Sequence, residues 1–509
     1  MAQRSKQEVL AYLGRSEVAA VGTSNMGSPR QRMMHFAADE HFNIYVTSMK
    51  GDPKVIQWSN IPETAMLIHQ GATFMEMEEC EIIGRAEVLK RQEERDIAAK
   101  LLENRSPIVA QFTQIGALDR LEFIRIRPFV VKYRFVPEIL QGESPTIFEF
   151  ADNRTSFSVW DDVRSKARAW KEAVRPLSLT ASLVPILLGG ALALAVTGTL
   201  NGLLFVLTLL GAVLIQAGTN MINDWKDADR DSENVRGIRP FTGGSRMIQL
   251  GLISRADMCF FGLLLSGIAA VIGIYLVFVG GWGLIPLIAY GLLAGLFYTS
   301  EKGKFSFINM APGIAELLIA TTYGVFMTMG AYYVQTGQFT MQAFLISLPV
   351  ALFVSNVLLI NQFPDADSDA ASGKNTLVVR IGKRGARNVL IASFLAGYAI
   401  IALLPLIDYA PFALYYAFLS IPFAAQAIRY AWRNYDKNAA DLVPSNAHTA
   451  INHLFNGLLL VFAFLLQALS PIVPIVYLAA SLLFILWVWR YIERQRRVMN
   501  DFRTAFKQS

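Results

Sequence analysis

Charge is scarce in this chain of 509 residues: Asp, Glu, Lys and Arg make up 17% of it, against roughly a quarter in a soluble domain. That deficit, beside 53% hydrophobic residues, excludes an ordinary soluble protein and points to a membrane. Cysteine is scarcer still. Cys80 and Cys259 are the two present, too few for a disulfide framework and without the Cys-x-x-Cys or Cys/His spacing of a zinc site. The net charge of +6 is small and sits largely in short loops between apolar segments, which argues against a nucleic-acid partner. A secretory signal is also missing. MAQRSKQEVLAYLGRSE reads as an amphipathic helix without a continuous apolar core, so we expect the N-terminal part to stay in the cytoplasm.

What the chain has instead is a succession of long apolar runs, all beyond residue 175. Segments able to span a bilayer lie near 176–198, 202–222, 257–279, 282–299, 309–333, 342–362, 388–406, 410–429, 452–469 and 471–490, by the rule of about 20 apolar residues per span. Lys and Arg concentrate in alternate connections: Lys226, Arg230, Arg236, Arg239, Arg246 and Arg255 in 223–256, Lys302 and Lys304 in 300–308, and Lys374, Arg380, Lys383, Arg384 and Arg387 in 363–387. The intervening connections have neither. This bias predicts an inner-membrane protein with both termini and every charged loop on the cytoplasmic side.

The first 137 residues have no run of membrane length and read as a small β-rich domain. EVAAVGTS, RQRMMHFA, FNIYVTS, TAMLIHQ, MEMEECEIIGRAEVL, LEFIRIRP and VVKYRFV are expected strands, with a hairpin signal at NMGSP. DPKVIQWSN is a short helix opened by Asp-Pro and RQEERDIAAKLLEN a longer one. Residues 138–165 are expected to be a linker and 166–495 the membrane domain, entered by a basic amphipathic helix within VWDDVRSKARAWKEAVRP. Residues 496–509 form a basic tail.

Two of the charged loops carry rows of carboxylates. In NMINDWKDADRDSENVRGIRP, Asn223, Asp227 and Asp231 fall at i, i+4 and i+8, on one face of a continuing helix, with Asp224 adjacent. In NQFPDADSDAASGKNT, Asn361, Asp365 and Asp369 repeat the spacing and Lys374 follows. Such rows repel themselves unless a cation or donor neutralises them. Oxygen ligands of this kind suit Mg²⁺, which binds one or two carboxylates together with phosphate oxygens. Arg236, Arg239, Arg246 and Lys374 beside them suit the anion, and a diphosphate is the simplest choice. Solvated acidic loops are the bland alternative, and two matching clusters on one predicted side weigh against it.

NDWKDADRD and DADSD, in that order, resemble the two aspartate motifs of the UbiA-type intramembrane prenyltransferases. The likeness covers roughly 165–470. WKEAVRPLSLTASLVPILLG, FYTS at 297–300, GIAE at 313–316 and GAYYVQTG at 330–337 look most like the branch that prenylates 1,4-dihydroxy-2-naphthoate in menaquinone synthesis. The resemblance implies an isoprenoid diphosphate held through Mg²⁺, ionisation to an allylic cation, and attack by an electron-rich aromatic acceptor. Carried over by position, it gives Asn223, Asp227, Asp231, Asn361, Asp365 and Asp369 to the metal, and Arg236 and Lys374 to the diphosphate. Arg239 is a phosphate ligand or a topology-setting charge. Asp224 serves the metal or an acceptor proton, and Tyr298 either faces the forming cation or belongs to an interfacial belt. Glu316, an acid within an apolar span, must at least be paired inside the bundle. Nine spans are usual in that family, and this chain has ten candidates.

The order of elements in 10–135 resembles the pyridoxamine-phosphate-oxidase-like FMN-binding split barrel, through AAVGTSNMGSPRQRMMHF, FNIYVTSMKGDPKVIQWSNIPETAML and IIGRAEVL. The likeness implies FMN at a homodimer interface, Arg32, Met33 and Met34 at the isoalloxazine edge, and Thr47, Ser48, Lys50 and Lys54 at the phosphate. A barrel without cofactor that mediates dimerisation is the alternative. His35 and His69 are expected to be structural, and Cys80 has no activating signature. The expected whole is therefore an N-terminal β-rich split barrel (α+β) followed by an all-α polytopic bundle of nine to ten transmembrane helices. Other acceptors of the same chemistry stay open: 4-hydroxybenzoate, a tocopherol or chlorophyll precursor, haem, or a glycerol phosphate lipid. An ion-coupled transporter is disfavoured because the acids lie at helix ends and not at mid-membrane.

Overall fold

The computed structural model describes residues 4–23, 29–150, 167, 169–233, 244–245, 247–248, 252–297, 310–371, 373–437 and 439–506. They divide into two compact units: Met1–Ala173 with Arg246–Asp257 and Arg497–Ser509, and Val174–Ser245 with Met258–Arg496.

The first unit is a barrel. Helix α1 (Lys6–Arg15) opens on a reciprocal cap between Ser5 and Glu8, which satisfies two of the donors a helix start leaves over. Strands β1 (Val18–Thr23), β2 (Arg30–Ala38), β3 (Ile44–Met49), β4 (Glu63–Gln70), β5 (Glu78–Val88), β6 (Leu121–Phe135) and β7 (Thr146–Glu149) form one antiparallel sheet. Its order is β3-β2-β1-β4-β5-β6-β7, and β3 also pairs with β6, from Ile44↔Ile126 to Met49↔Leu121, which closes the ring. Closure removes the open edges that a strand otherwise exposes. Period-two patterning sets the inside: in β4, Thr64, Met66 and Ile68 are buried while Glu63, Ala65, Leu67 and His69 are exposed. Val21, Phe36, Ile44, Val46 and Ile82 join them in the core, covered by Val9, Tyr12 and Leu13 of α1. Helix α2 (Pro53–Asn60) is capped by Asp52 with Pro53 in its first turn, as the Asp-Pro pair predicts.

The barrel differs from the sequence reading in two places. LEFIRIRP and VVKYRFV are one strand, β6, running through Pro128. A bulge at Ile83/Gly84 absorbs the proline, because the pairing passes from Ile83↔Val130 to Gly84↔Pro128, where no N–H is asked of it. Gly84 is required there: a Cβ would stand 2.3 Å from the Arg127 carbonyl oxygen. The second difference is β7, which orders part of the expected linker. Phe148 packs on Phe42 with ring centroids 5.4 Å apart, an apolar contact hidden by the polar, turn-rich composition around it. The turn at 24–28 lies outside the described residues, as does half of the stretch 159–176 in which a basic helix is expected before the first span.

The second unit is all helical. Eight helices among the described residues are long and apolar enough to cross a membrane: Thr180–Thr197, Gly202–Ala228, Arg255–Gly280, Ile314–Thr336, Met341–Gln362, Leu377–Ile407, Asp441–Ala468 and Ile472–Arg494. Two of the ten expected segments are not among these eight. One is the helix Leu284–Phe297, at whose end the described residues stop. The other, near 410–429, begins as the 3₁₀ helix Phe412–Ser420 after Pro411 and becomes α-helical only at Ile421–Asn434. Proline cannot donate the backbone bond that an unbroken helix needs at that point. Among the described residues, ten apolar segments therefore have helical counterparts, and eight of them are long and apolar enough to span.

We number the helices that matter to the site in chain order: α3 and α4 (Gln92–Glu103, Pro107–Gln114) and α5 (Val136–Leu140) belong to the barrel, followed by α6 (Thr180–Thr197), α7 (Gly202–Glu233), α8 (Arg255–Gly280), α9 (Leu284–Phe297), α10 (Ile314–Thr336, with a π-helical stretch at Ala320–Phe326) and α11 (Met341–Gln362). Short connections alternate with long ones, and the contacts show the result. At one end Leu204, Leu276, Val277, Leu284 and Val334 cluster, and Asn201 and Gln335 exchange hydrogen bonds. The start of α7, the end of α8, the start of α9 and the end of α10 thus share that end. The acidic clusters close α7 and follow α11, so both occupy the opposite end.

Small residues let the helices approach closely, as they do where lipid offers no hydrophobic drive. A Cβ at Gly324 of α10 would lie 2.2 Å from Ala351 Cα of α11, and one at Gly189 of α6 would lie 2.3 Å from the Thr328 carbonyl oxygen. The helix Ala439–Ala468 is the most buried of the spans. Its polar stripe is tied inward: Tyr398 donates to Asn452 Oδ1 at 2.7 Å and Asn456 to Ser420 Oγ at 2.9 Å.

Candidate functional site

The first acidic cluster lies on the last turns of α7, which continues as one helix to Glu233. Helical spacing sorts its residues onto two faces. Gln216, Asn220 and Asp224, four apart, face the segment leading into α6. Gln216 Nε2 donates to the Ser178 carbonyl at 2.5 Å, Asn220 Nδ2 to the Val174 carbonyl at 3.0 Å and to Ser178 Oγ at 2.7 Å. Asp224 is buried, pairs with Arg175, and accepts from the hydroxyl of Ser245 and from its backbone N–H at 3.1 Å. Arg175 reaches it from a residue at φ +56°, a conformation uncommon outside glycine. A carboxylate so engaged has a structural role first. Asn223 and Asp227, a step round the helix, are half-buried, and Asp231 continues their row, though its side chain lies outside the described residues.

The second cluster does not continue its helix. α11 ends at Gln362, residues 363–365 form a turn through Pro364, and a short helix resumes at Ala366–Ala371. Asn361 is thereby separated from the other two, and its Oδ1 accepts from Asn446 Nδ2 at 2.6 Å. Asp365 and Asp369 stay on one face, since the Asp369 N–H bonds the Asp365 carbonyl at 2.8 Å. Lys374 follows Gly373, which is at φ +74°, and its Nζ lies 3.7 Å from Asp369 Oδ1. The expectation of one continuous face is corrected here, and the proline is the cause.

Glu316 opens α10 at the same end. It is 8% exposed, and Gln362 Nε2 donates to its Oε1 at 2.6 Å. Gln362 in turn accepts the Asp365 N–H on its backbone carbonyl at 3.2 Å. The acid is therefore joined through one residue to the second aspartate cluster.

Arg236, Arg239 and Tyr298 lie outside the described residues. Among the described residues no three acidic, histidine or cysteine side chains gather as a metal group. Mg²⁺ does not demand one, because substrate phosphate oxygens and water complete its shell. The hard oxygen donors Asp227, Asp365 and Asp369 fit such an ion. Asp224 and Asn361 are committed to protein donors.

In the barrel, Arg32 is half-buried, with Nη2 2.9 Å from Thr23 Oγ1 and 3.3 Å from Gln57 Oε1. Burial holds its guanidinium below the ordinary value, against the pull of Asp52. Met33 is exposed and Met34 is in the core. The expected phosphate partners are turned elsewhere. Thr47 donates to the Glu122 carbonyl at 3.1 Å, Ser48 to Asp52 Oδ2 at 2.9 Å, and Lys54 Nζ to the same oxygen at 2.6 Å. Lys50 is exposed. As arranged, with a carboxylate in their midst, these residues do not fit a flavin phosphate. Cys80 is buried in the barrel core, and burial, helped by Glu81, pushes its thiol up to about 12.

Sequence reasoning missed Arg175, Gln216, Asn220, Gln362 and Asn446. The signal was present as polar residues inside apolar helices, spaced by four from a recognised aspartate in the case of Gln216 and Asn220.

Residues 182–450 match the UbiA prenyltransferase family. Over 296 residues the chain is 28% identical to 1,4-dihydroxy-2-naphthoate octaprenyltransferase of Bacillus subtilis, covering 58% of this chain and 92% of that protein. Over 228 residues it is 31% identical to the Haemophilus influenzae protein of the same name, covering 43% and 71%. It is also 28% identical, over 58% and 92%, to 2-carboxy-1,4-naphthoquinone phytyltransferase of Synechocystis. Among solved structures, General Stress Protein 26 of Bacillus anthracis is 15% identical over 28% of this chain and 98% of its own, with a TM-score of 0.22. A related protein of the pyridoxinephosphate oxidase family from Clostridium acetobutylicum is 11% identical over 29% and 95%, with a TM-score of 0.24.

Proposed function

The chain belongs to the UbiA prenyltransferase family, and from that premise we propose that it transfers a polyprenyl group from an isoprenoid diphosphate to 1,4-dihydroxy-2-naphthoate, on the cytoplasmic side of the inner membrane. The observation that supports this most is the presence of both aspartate clusters at one end of a multi-pass bundle, each at the end of a long apolar helix. The names of the relatives support the acceptor.

In this reading Asp227, Asp365 and Asp369, with Asn223 and Asp231, hold Mg²⁺, and Lys374 with Arg236 and Arg239 holds the diphosphate. When bound, the ion supplies the positive charge that eases departure of the diphosphate. Asp224 acts indirectly: paired with Arg175, it docks the end of α7 against the entry to α6. Tyr298 keeps the role of lining the cation.

Two measurements test the proposal. Membranes containing the protein, given geranylgeranyl diphosphate, Mg²⁺ and equal amounts of 1,4-dihydroxy-2-naphthoate and 4-hydroxybenzoate, should yield the prenylated naphthalene by mass spectrometry. Prenylated 4-hydroxybenzoate as the main product would move the chain to another branch. The purified full-length protein should release no flavin on acid extraction, and a stoichiometric yield of FMN would show that Asp52 surrenders Ser48 and Lys54 to a phosphate.

A further inference from the structure

We propose that Glu316 and Gln362 form the subsite that recognises a hydroxyl group of the aromatic acceptor, a deepening that rests on the prenyl-transfer reading above. The argument begins with donors and acceptors. Gln362 turns its NH₂ toward Glu316, and the 2.6 Å contact between Nε2 and Oε1 is that bond. Two atoms of the pair remain buried with no hydrogen-bond partner among the described residues: Glu316 Oε2 and Gln362 Oε1. Both are acceptors. Glu316 is 8% exposed and Gln362 6%, so neither atom is at an open surface, and leaving such a group unmet is unfavourable.

The unmet atoms select their ligand by chemistry. Two acceptors require a donor. A phenolic O–H meets the need. A diphosphate or an acceptor carboxylate is repelled, and a methyl ether has nothing to offer. The pair also has a fitting position. Gln362 is the last residue of α11, its backbone carbonyl anchors the N–H of Asp365 at 3.2 Å, and Ser355 Oγ bonds the Glu316 carbonyl at 3.3 Å. The hydroxyl subsite is thus tied to the second aspartate cluster while being closed to the anion that cluster is proposed to hold. The π-helical stretch that begins four residues after Glu316 is a device often found at functional sites.

The test compares two acceptors in two proteins. Full-length wild type and Glu316→Gln, purified in detergent, receive geranylgeranyl diphosphate with Mg²⁺ and either 1,4-dihydroxy-2-naphthoate or its mono-methyl ethers. A site built to bond a hydroxyl rejects the analogue that lacks it by a large factor. Wild type should favour the free diol over an ether by roughly 100-fold or more in kcat/KM. In Glu316→Gln the new amide keeps its oxygen toward Gln362 and presents NH₂ where Oε2 was, so a donor replaces an acceptor. The preference should shrink at least about tenfold, with the KM for the prenyl donor unchanged. A merely structural role would lower both rates together. Unchanged discrimination in the variant overturns the proposal and leaves prenyl transfer standing. Absence of prenylated product from any acceptor in wild type overturns the underlying reading instead. Should Glu316→Gln fail to accumulate, Gln362→Met removes the other unmet acceptor, and the same comparison decides.

Discussion

Replacing Asp227 or Asp365 by alanine should abolish diphosphate release from an isoprenoid diphosphate. Charge stabilisation by a bound metal is worth several kcal/mol, and about 4 kcal/mol corresponds to roughly a 1,000-fold loss of rate. Both side chains are half-buried near helix ends. Asp224 is the informative contrast. It belongs to the same motif, but it is 4% exposed and tied to Arg175 and Ser245. Asp224→Ala leaves the Arg175 guanidinium without its carboxylate. Breaking a buried pair costs about 3 kcal/mol, less here because Arg175 is about a third exposed. Its activity should therefore fall together with its resistance to heating in detergent. Full diphosphate release in Asp227→Ala would refute the catalytic assignment, and an Asp224→Ala protein as heat-resistant as wild type would remove the docking role.

The second large effect is expected from one methyl group. Gly324→Ala places a Cβ 2.2 Å from Ala351 Cα and 2.7 Å from its nitrogen, so α10 and α11 must move apart, since neither atom belongs to a side chain that can rotate away. Overpacking of this kind costs typically 1–3 kcal/mol, and the upper end, about 3 kcal/mol, applies where backbone meets backbone. The consequence extends to the site because α11 ends at Gln362 and leads into Asp365. Gly330→Ala, six residues on in the same helix, is the control: its Cβ would meet only Leu287 Cδ1 at 3.6 Å, an ordinary contact. The fraction of protein remaining soluble after heating in detergent should drop for Gly324→Ala and stay near wild type for Gly330→Ala. Equal curves would mean that the two helices are not held at that distance.

How much of this was legible beforehand follows from range. The barrel strands were readable because each carries its own alternation, and Asp-Pro at 52–53 announced α2 by a local steric rule. β7 was not readable, since Phe148 is ordered by Phe42, more than a hundred residues away. The continuation through Pro128 was equally hidden, because a bulge at Gly84 on the partner strand makes room for it. In the membrane unit, apolar length and the sidedness of Lys and Arg marked the segments. Whether a segment forms one helix depended on Pro411 and on packing.

The aspartates divide in the same way. Composition and spacing by themselves determined that this chain enters a membrane, where its acids lie, and that the acids suit a divalent ion and a diphosphate. They could not sort Asp224 from Asp227, because which face of α7 meets the α6 entry is a matter of helix packing. Nor could they pair Glu316 with Gln362, 46 residues apart. Those assignments belong to tertiary structure, since a carboxylate acquires its role from the donors that fold against it.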